Sequence, residues 1–212
     1  METPFVDVHT HNEAAAGVIS LRSYVLGRDD IPAHAGFFSA GIHPWYAAQT
    51  DIECGLEYLR AAPAAAIGEI GLDYRRGAER ELQESVFRAQ LKIAQMRNLP
   101  VVIHCVKAYN GILPLLKDYE LPAVIFHGYT GSKEQAARLV KAGYYISFGQ
   151  TSLGSPATVE ALRSLPAENI FAETDESALP ISDIYARMAA ARNIETDELK
   201  STIYSNFQRI FR

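Results

Sequence analysis

The chain has 212 residues, 48% hydrophobic and 21% charged, with a formal net charge of −5 and two cysteines. That is enough chain for a substantial core with ordinary soluble composition, and the acidic balance argues against a broad basic surface that wraps nucleic acid. Cys54 and Cys105 match no CxxC spacing, so a disulfide framework is not expected and a reducing compartment fits. No apolar run approaches roughly 18–20 residues and no signal-like N-terminus is present, so a cytoplasmic location and no membrane contact are expected.

In chain order, β-rich runs fall at 4–9, 17–26, 36–42, 64–70, 100–105, 122–127, 143–148 and 168–173. Several are almost continuously apolar, as in parallel strands covered on both faces. The segment 27–35 has no helical period and marks a lost helix; His34 within it reads as a surface residue. Residues 79–97 carry Leu82, Val86, Ala89, Ile93 and Met96 at helical spacing. Ser132-Lys-Glu-Gln135 has the form of a capping box opening a helix over 133–142. Ser155-Pro156 places a cap before a proline at the first helical position, a helix follows at 183–191, and another begins near Thr196.

Repeated β-α alternation implies a parallel sheet with right-handed crossovers. Eight strands in one series fit a distorted (β/α)8 TIM barrel, one domain over 1–212, short of helices in its N-terminal part. An open doubly wound sheet is the alternative, but no GxGxxG or Walker loop is present.

Ligand-type residues follow these strands. Asp7, His9 and His11 alternate along strand one and are expected to share a face. Glu69 lies in strand four, His104 ends strand five, His127 ends strand six, and Glu173-Thr174-Asp175 follow strand eight. Barrel enzymes place their chemistry at such strand ends. Each residue alone has a plain structural reading: a hydrogen-bonded core histidine, a satisfied carboxylate, a helix cap. Four His and two carboxylates together are the N/O donors that suit Zn²⁺, Mn²⁺ or a related divalent ion.

Asp7-Val-His9-Thr-His11, Gly41-Ile-His43-Pro44, Ile67-Gly-Glu-Ile-Gly-Leu-Asp-Tyr74, Pro100-Val-Val-Ile-His104, His127-Gly-Tyr-Thr-Gly-Ser132 and Glu173-Thr-Asp175 stand in order along the chain. They resemble the signature blocks of the TatD family of metal-dependent hydrolases, and the resemblance extends to the closing Asn206-Phe-Gln-Arg-Ile-Phe211. It implies two divalent ions, Zn, Mn or Mg. His9, His11 and Asp175 would hold one, His104 and His127 the second, and Glu69 would bridge both. Two cations about 3.5–4 Å apart clamp the attacking and leaving oxygens of a phosphodiester and activate water. Asp175 and Glu69 are the expected catalytic carboxylates, with Asp175 orienting the nucleophile and taking its proton.

On the substrate side, His43 either faces a phosphate or hydrogen-bonds a ligand carboxylate. Lys107 stands where the family usually carries Arg, keeping charge but losing the bidentate fork. Thr130 and Ser132 open a helix whose N–H groups suit phosphate, although capping explains Ser132 equally well. Trp45 could stack on a base or line the rim; Asp73 and Tyr74 shape the pocket or the fold. The family's Ser/Ala-Pro-Tyr and longer loop after the Asp are replaced by Glu176-Ser-Ala-Leu179, and its Cys-Phe-Ser-Gly turn by Gly128-Tyr-Thr-Gly131. The expected substrate is DNA or a small phosphodiester, with amide or lactone hydrolysis as the alternative. Many binuclear relatives bridge their metals with a carboxylated Lys; Glu69 at that position favours the phosphodiester branch. A silent metal-binding module is the remaining rival.

Overall fold

The structure is a computed structural model describing residues 3–33 and 35–211, so His34 lies outside the described residues. Eight strands form one sheet in sequence order: β1 (Phe5–Thr10), β2 (Val18–Val25), β3 (Phe38–Gly41), β4 (Ala66–Asp73), β5 (Val101–Val106), β6 (Val124–Phe126), β7 (Tyr145–Phe148) and β8 (Ile170–Ala172). The paired strands run parallel, and Thr10 forms a parallel bridge with Asp175 just beyond β8. Sequential parallel order with the last strand returned to the first is the (β/α)8 TIM barrel expected from the alternation.

Helices α1 (Ile52–Ala61), α2 (Arg80–Arg97), α3 (Tyr109–Leu116), α4 (Lys133–Lys141), α5 (Gln150–Leu153), α6 (Pro156–Ser164), α7 (Ile181–Arg192) and α8 (Thr196–Ile210) connect or follow the later strands. Among the described residues no helix joins β1 to β2 or β2 to β3, so the barrel's first two connections are the depleted ones. No described helix is long and apolar enough to cross a membrane. The strands lie within three residues of their expected bounds. The largest difference is β4, which runs three residues further than its apolar pattern, to Asp73, and is buried throughout.

The chain clusters into two compact units, residues 1–22 with 125–212 and residues 23–124. In the second unit α2 forms where its period predicts, but its buried face is Gln83, Val86, Phe87, Gln90, Leu91, Ile93 and Ala94. Met96, expected inside, is 71% exposed. Val86 and Ile93 of the expected stripe are buried and Leu82 and Ala89 half-buried, while two glutamines seven residues apart share the core face. Gln90 accepts from Ile42 N (2.7 Å) and donates to Ile42 O (3.1 Å), satisfying the backbone just past β3. Gln83 does the same for Asp73, accepting from its N (2.8 Å) and donating to its O (2.9 Å). A buried amide with its partners in place costs nothing in unmet hydrogen bonds.

In the first unit Tyr185 of α7 is fully buried, and its hydroxyl accepts from Val6 N (3.2 Å) and donates to Val6 O (2.9 Å). Asn206 of α8 donates to Ala167 O (2.9 Å) and Ile170 O (3.0 Å), tying the C-terminal helix to the entry of β8. The caps read from sequence are present: Ser132 accepts from Gln135 N, and Ser155 from Thr158 N ahead of Pro156.

Tyr185→Phe strands a buried donor and acceptor of β1, and should cost about 2 kcal/mol, read as a fall of about 4–8 °C in the unfolding midpoint. Cys54 is exposed on α1, whereas burial pushes the Cys105 thiol up to about 12. A chromogenic disulfide reagent at pH 8 should therefore titrate one fast thiol, abolished by Cys54→Ser, and reach Cys105 only on denaturation.

Candidate metal centre

In the first unit the pairing of β1 with the chain beyond β8 builds the site. His11 N donates to Asp175 O and Asp175 N to His9 O, both at 3.0 Å. This backbone exchange places Asp175 Oδ1 at 3.6 Å from His9 Nε2 and 3.8 Å from His11 Nε2. The two rings meet edge to face, centroids 5.1 Å apart. Asp175 adopts φ +54°, a left-handed conformation that an Asp tolerates better than most residues and that concentrates at functional sites. Its side chain is 43% exposed, while His9 is wholly buried.

Strict alternation does not run through β1, because its register with β2 shifts between Asp7 and Thr10. Asp7 and Thr10, of opposite parity, both reach Thr174. Thr174 donates to Asp7 from N (2.9 Å) and from Oγ1 (2.6 Å), and Thr10 Oγ1 lies 2.7 Å from the same hydroxyl. Burial raises the Asp7 carboxyl to about 6 against these hydrogen bonds, which lower it. Asp7 thus holds the segment before Asp175, a task its place beside the histidines did not announce.

His127 follows β6, its ring 4.2 Å from that of His9 and its Nδ1 3.7 Å from Glu173 Oε1. Glu173 is 1% exposed; it accepts from Gly128 N (2.7 Å) and from the Ser147 hydroxyl. In the sequence Glu173 carries no role beyond its place in the Glu-Thr-Asp block. Its signal was a carboxylate directly after an apolar strand, which requires buried partners. Donor atoms of His9, His11 and Asp175, and of His127, Glu173 and Asp175, form two sets within 4.8 Å.

The second unit carries another set, His43, Glu69 and His104, buried and within the same span. Glu69 Oε1 lies 3.0 Å from His43 Nε2 and 2.6 Å from His104 Nδ1. The Trp45 amide donates to His43 Nδ1 (3.1 Å), so that nitrogen carries no proton. His43 Nε2 therefore bears the hydrogen and donates to Glu69. Of the two roles read for His43, orienting a carboxylate is the one the geometry favours. Glu69 sits where the β4–β5 register shifts, between Ile67 and Ile70. The strands close up beside it: Gly71 has φ +144°, and a Cβ there would lie 2.0 Å from the His104 carbonyl.

His104 Nε2 lies 3.4 Å from Asp73 Oδ2, which accepts from Trp45 Nε1 at 2.6 Å. Burial alone would raise Asp73, but hydrogen bonds from His104, Trp45 and the Arg75 amide outweigh it and hold the carboxyl at about 2. It stays ionised across the working range and backs His104. Lys107 is exposed just past β5 at φ +54°. Thr130 and Ser132 are exposed in the other unit, where Ser132 caps α4.

A model of TatD related DNases matches residues 32–212. The chain is 34% identical over 166 residues to the 3'-5' ssDNA/RNA exonuclease TatD of Escherichia coli K12, covering 73% of this chain and 63% of that protein. It therefore spans about 63% of the length of the TatD exonucleases it matches. It is 28% identical over 198 residues to YjjV of Escherichia coli K12, named as a metal-dependent hydrolase, covering 82% and 76%. The crystal structure of YjjV superposes with a TM-score of 0.84 at 23% identity, over 100% of this chain and 99% of that one. A TatD family hydrolase from Entamoeba histolytica gives 0.78 at 18%, over 100% and 99%. At these identities the superpositions establish the shared fold. Most of the chain lies inside the matching model and its histidine and carboxylate blocks stand in order, so it belongs to the family of TatD-related DNases.

Proposed function

We propose that residues 1–212 act as one metal-dependent hydrolase domain that cleaves phosphodiester bonds, with DNA or a smaller nucleotide ester as substrate. The observation that carries this is the His9, His11 and Asp175 set: three nitrogen and oxygen donors within 4.8 Å, delivered by backbone pairing at the ends of a strand pair. That donor number and type fit Zn²⁺ or Mn²⁺. His104, His127 and Glu69 would hold a second ion in the same reading, as the resemblance implies.

When bound, such ions polarise the phosphoryl group and make water a nucleophile near neutral pH. The chain's own residues do the rest. Asp175, partly exposed and anchored through its own N and O, orients the attacking water and accepts its proton at Oδ1. Glu69 is held by the His43 N–H, so its carboxylate cannot rotate away as charge develops. Glu173 steadies the backbone at His127 through the Gly128 amide, and Asp73 steadies His104. Lys107, Thr130 and Ser132 supply the phosphate contacts of this reading. The names of the TatD relatives favour a single-stranded nucleic acid as the substrate.

Dialysis against a chelator should abolish cleavage of an oligonucleotide and of bis(p-nitrophenyl) phosphate, and Mn²⁺ or Mg²⁺ should restore it. Asp175→Ala should lower kcat by at least about 100-fold. The combined Glu69→Ala and His104→Ala variant should lose activity outright; an unchanged rate would sink the site, and turnover of amides or lactones alone would sink the bond assignment. Independently of activity, His9→Ala should lower bound metal by about one equivalent per chain in elemental analysis.

A further inference from the structure

A guanidinium stacks on the indole that backs His104. Arg76 lies 3.8 Å from the centroid of the Trp45 ring. Trp45 itself is fixed: its Nε1 donates to Asp73, and its ring lies 5.4 Å from that of His104. The loop carrying Arg76 is fixed as well. Gln83 Nε2, fully inside the fold, reaches Asp73 O, Arg76 O (3.2 Å) and Ala78 O (2.7 Å), while Asp73 Oδ1 accepts from Arg75 N (2.8 Å). Ala78 N donates to Pro44 O at 3.2 Å, clipping the loop onto the Pro44–Trp45 turn. Arg76 is exposed and, among the described residues, pairs with no carboxylate.

Stacking occupies a guanidinium's face and leaves its in-plane N–H donors for a forked contact with an oxyanion. A nearby pair shows the contrast. Arg80 stacks on Tyr74 at the same 3.8 Å, but the Tyr74 hydroxyl donates to Glu84 (2.9 Å), so an anion arriving there meets a carboxylate. Arg76 lacks that neighbour and sits on the residue tied to His104.

We propose that Arg76, held flat on Trp45, grips a backbone phosphate of a single-stranded nucleic acid next to the phosphate being cleaved. The proposal rests on the phosphodiesterase reading and adds to it a contact outside the reacting group: a strand with flanking phosphates binds better than an isolated ester. The fork supplied by Arg76 replaces the bidentate contact that Lys107 cannot make. An arginine that merely covers a half-buried indole is the competing account.

Fluorescence anisotropy of metal-loaded protein with a labelled, cleavage-resistant phosphorothioate dT10 tests it. Arg76→Ala should weaken binding about tenfold and lower the log–log salt slope by about 1. Arg76→Lys should fall between, since it keeps charge without the fork or the stack, and it guards against a folding defect in the alanine variant. In turnover, KM for dT10 should rise about tenfold more than KM for bis(p-nitrophenyl) phosphate, which has no flanking phosphate. Unchanged affinity and slope in both variants, or equal shifts in the two KM values, would overturn it. A parent protein that does not bind dT10 overturns it as well. A parent that binds dT10 and cleaves neither substrate fails the phosphodiesterase reading alone, and the Arg76→Ala affinity then still decides the grip.

Discussion

The site depends first on a backbone exchange: Asp175 gives its N–H to His9 O and takes the N–H of His11 on its own O. Residues about 165 positions apart in the chain are thereby fixed to within a hydrogen bond. The side chains follow from the main chain. Two imidazoles and a carboxylate converge because β1 and the chain beyond β8 are neighbours in a parallel sheet that returns to its start. Asp7 reinforces the junction by taking both donors of Thr174, at the cost of burying a carboxylate whose pKa rises to about 6.

Within each unit the chain manages buried polarity by pairing it with backbone. Gln90 satisfies Ile42, Gln83 satisfies the loop from Asp73 to Ala78, Tyr185 satisfies Val6, and Asn206 satisfies the chain entering β8. Main-chain groups at strand ends and in the loops beyond them fall outside the ladder and need other partners. Buried side chains that carry both a donor and an acceptor, or two donors, meet that need in a dry interior. The same device orders the candidate chemistry: Glu173 binds the Gly128 amide, Asp73 backs His104, and His43 holds Glu69 in a tautomer set by the Trp45 amide.

Much of this was legible in the residues. Eight apolar runs marked eight strands because strands covered on both faces admit few polar residues. Imidazoles and carboxylates directly after those runs stood out because such groups are rarely buried without a task. Helix α2 and part of its core face were legible, but not Gln83 and Gln90, since periodicity counts apolar residues. Glu173 reads in sequence as a motif letter, Asp73 as shaping the pocket or the fold, and Trp45 as stacking on a base or lining the rim; what each holds depends on partners that no local pattern carries.

The sequence by itself determined the alternation of strands and helices, the scarcity of helices early in the barrel among the described residues, and which imidazoles and carboxylates follow the strands. These are consequences of local composition and periodicity. Only the tertiary structure decided which donors face one another, because register shifts at His9 and Glu69 break the simple two-residue period there. It also decided the tautomer of His43 and the stacking of Arg76 on Trp45. Those depend on distances between segments remote in sequence, set by the packing of the sheet.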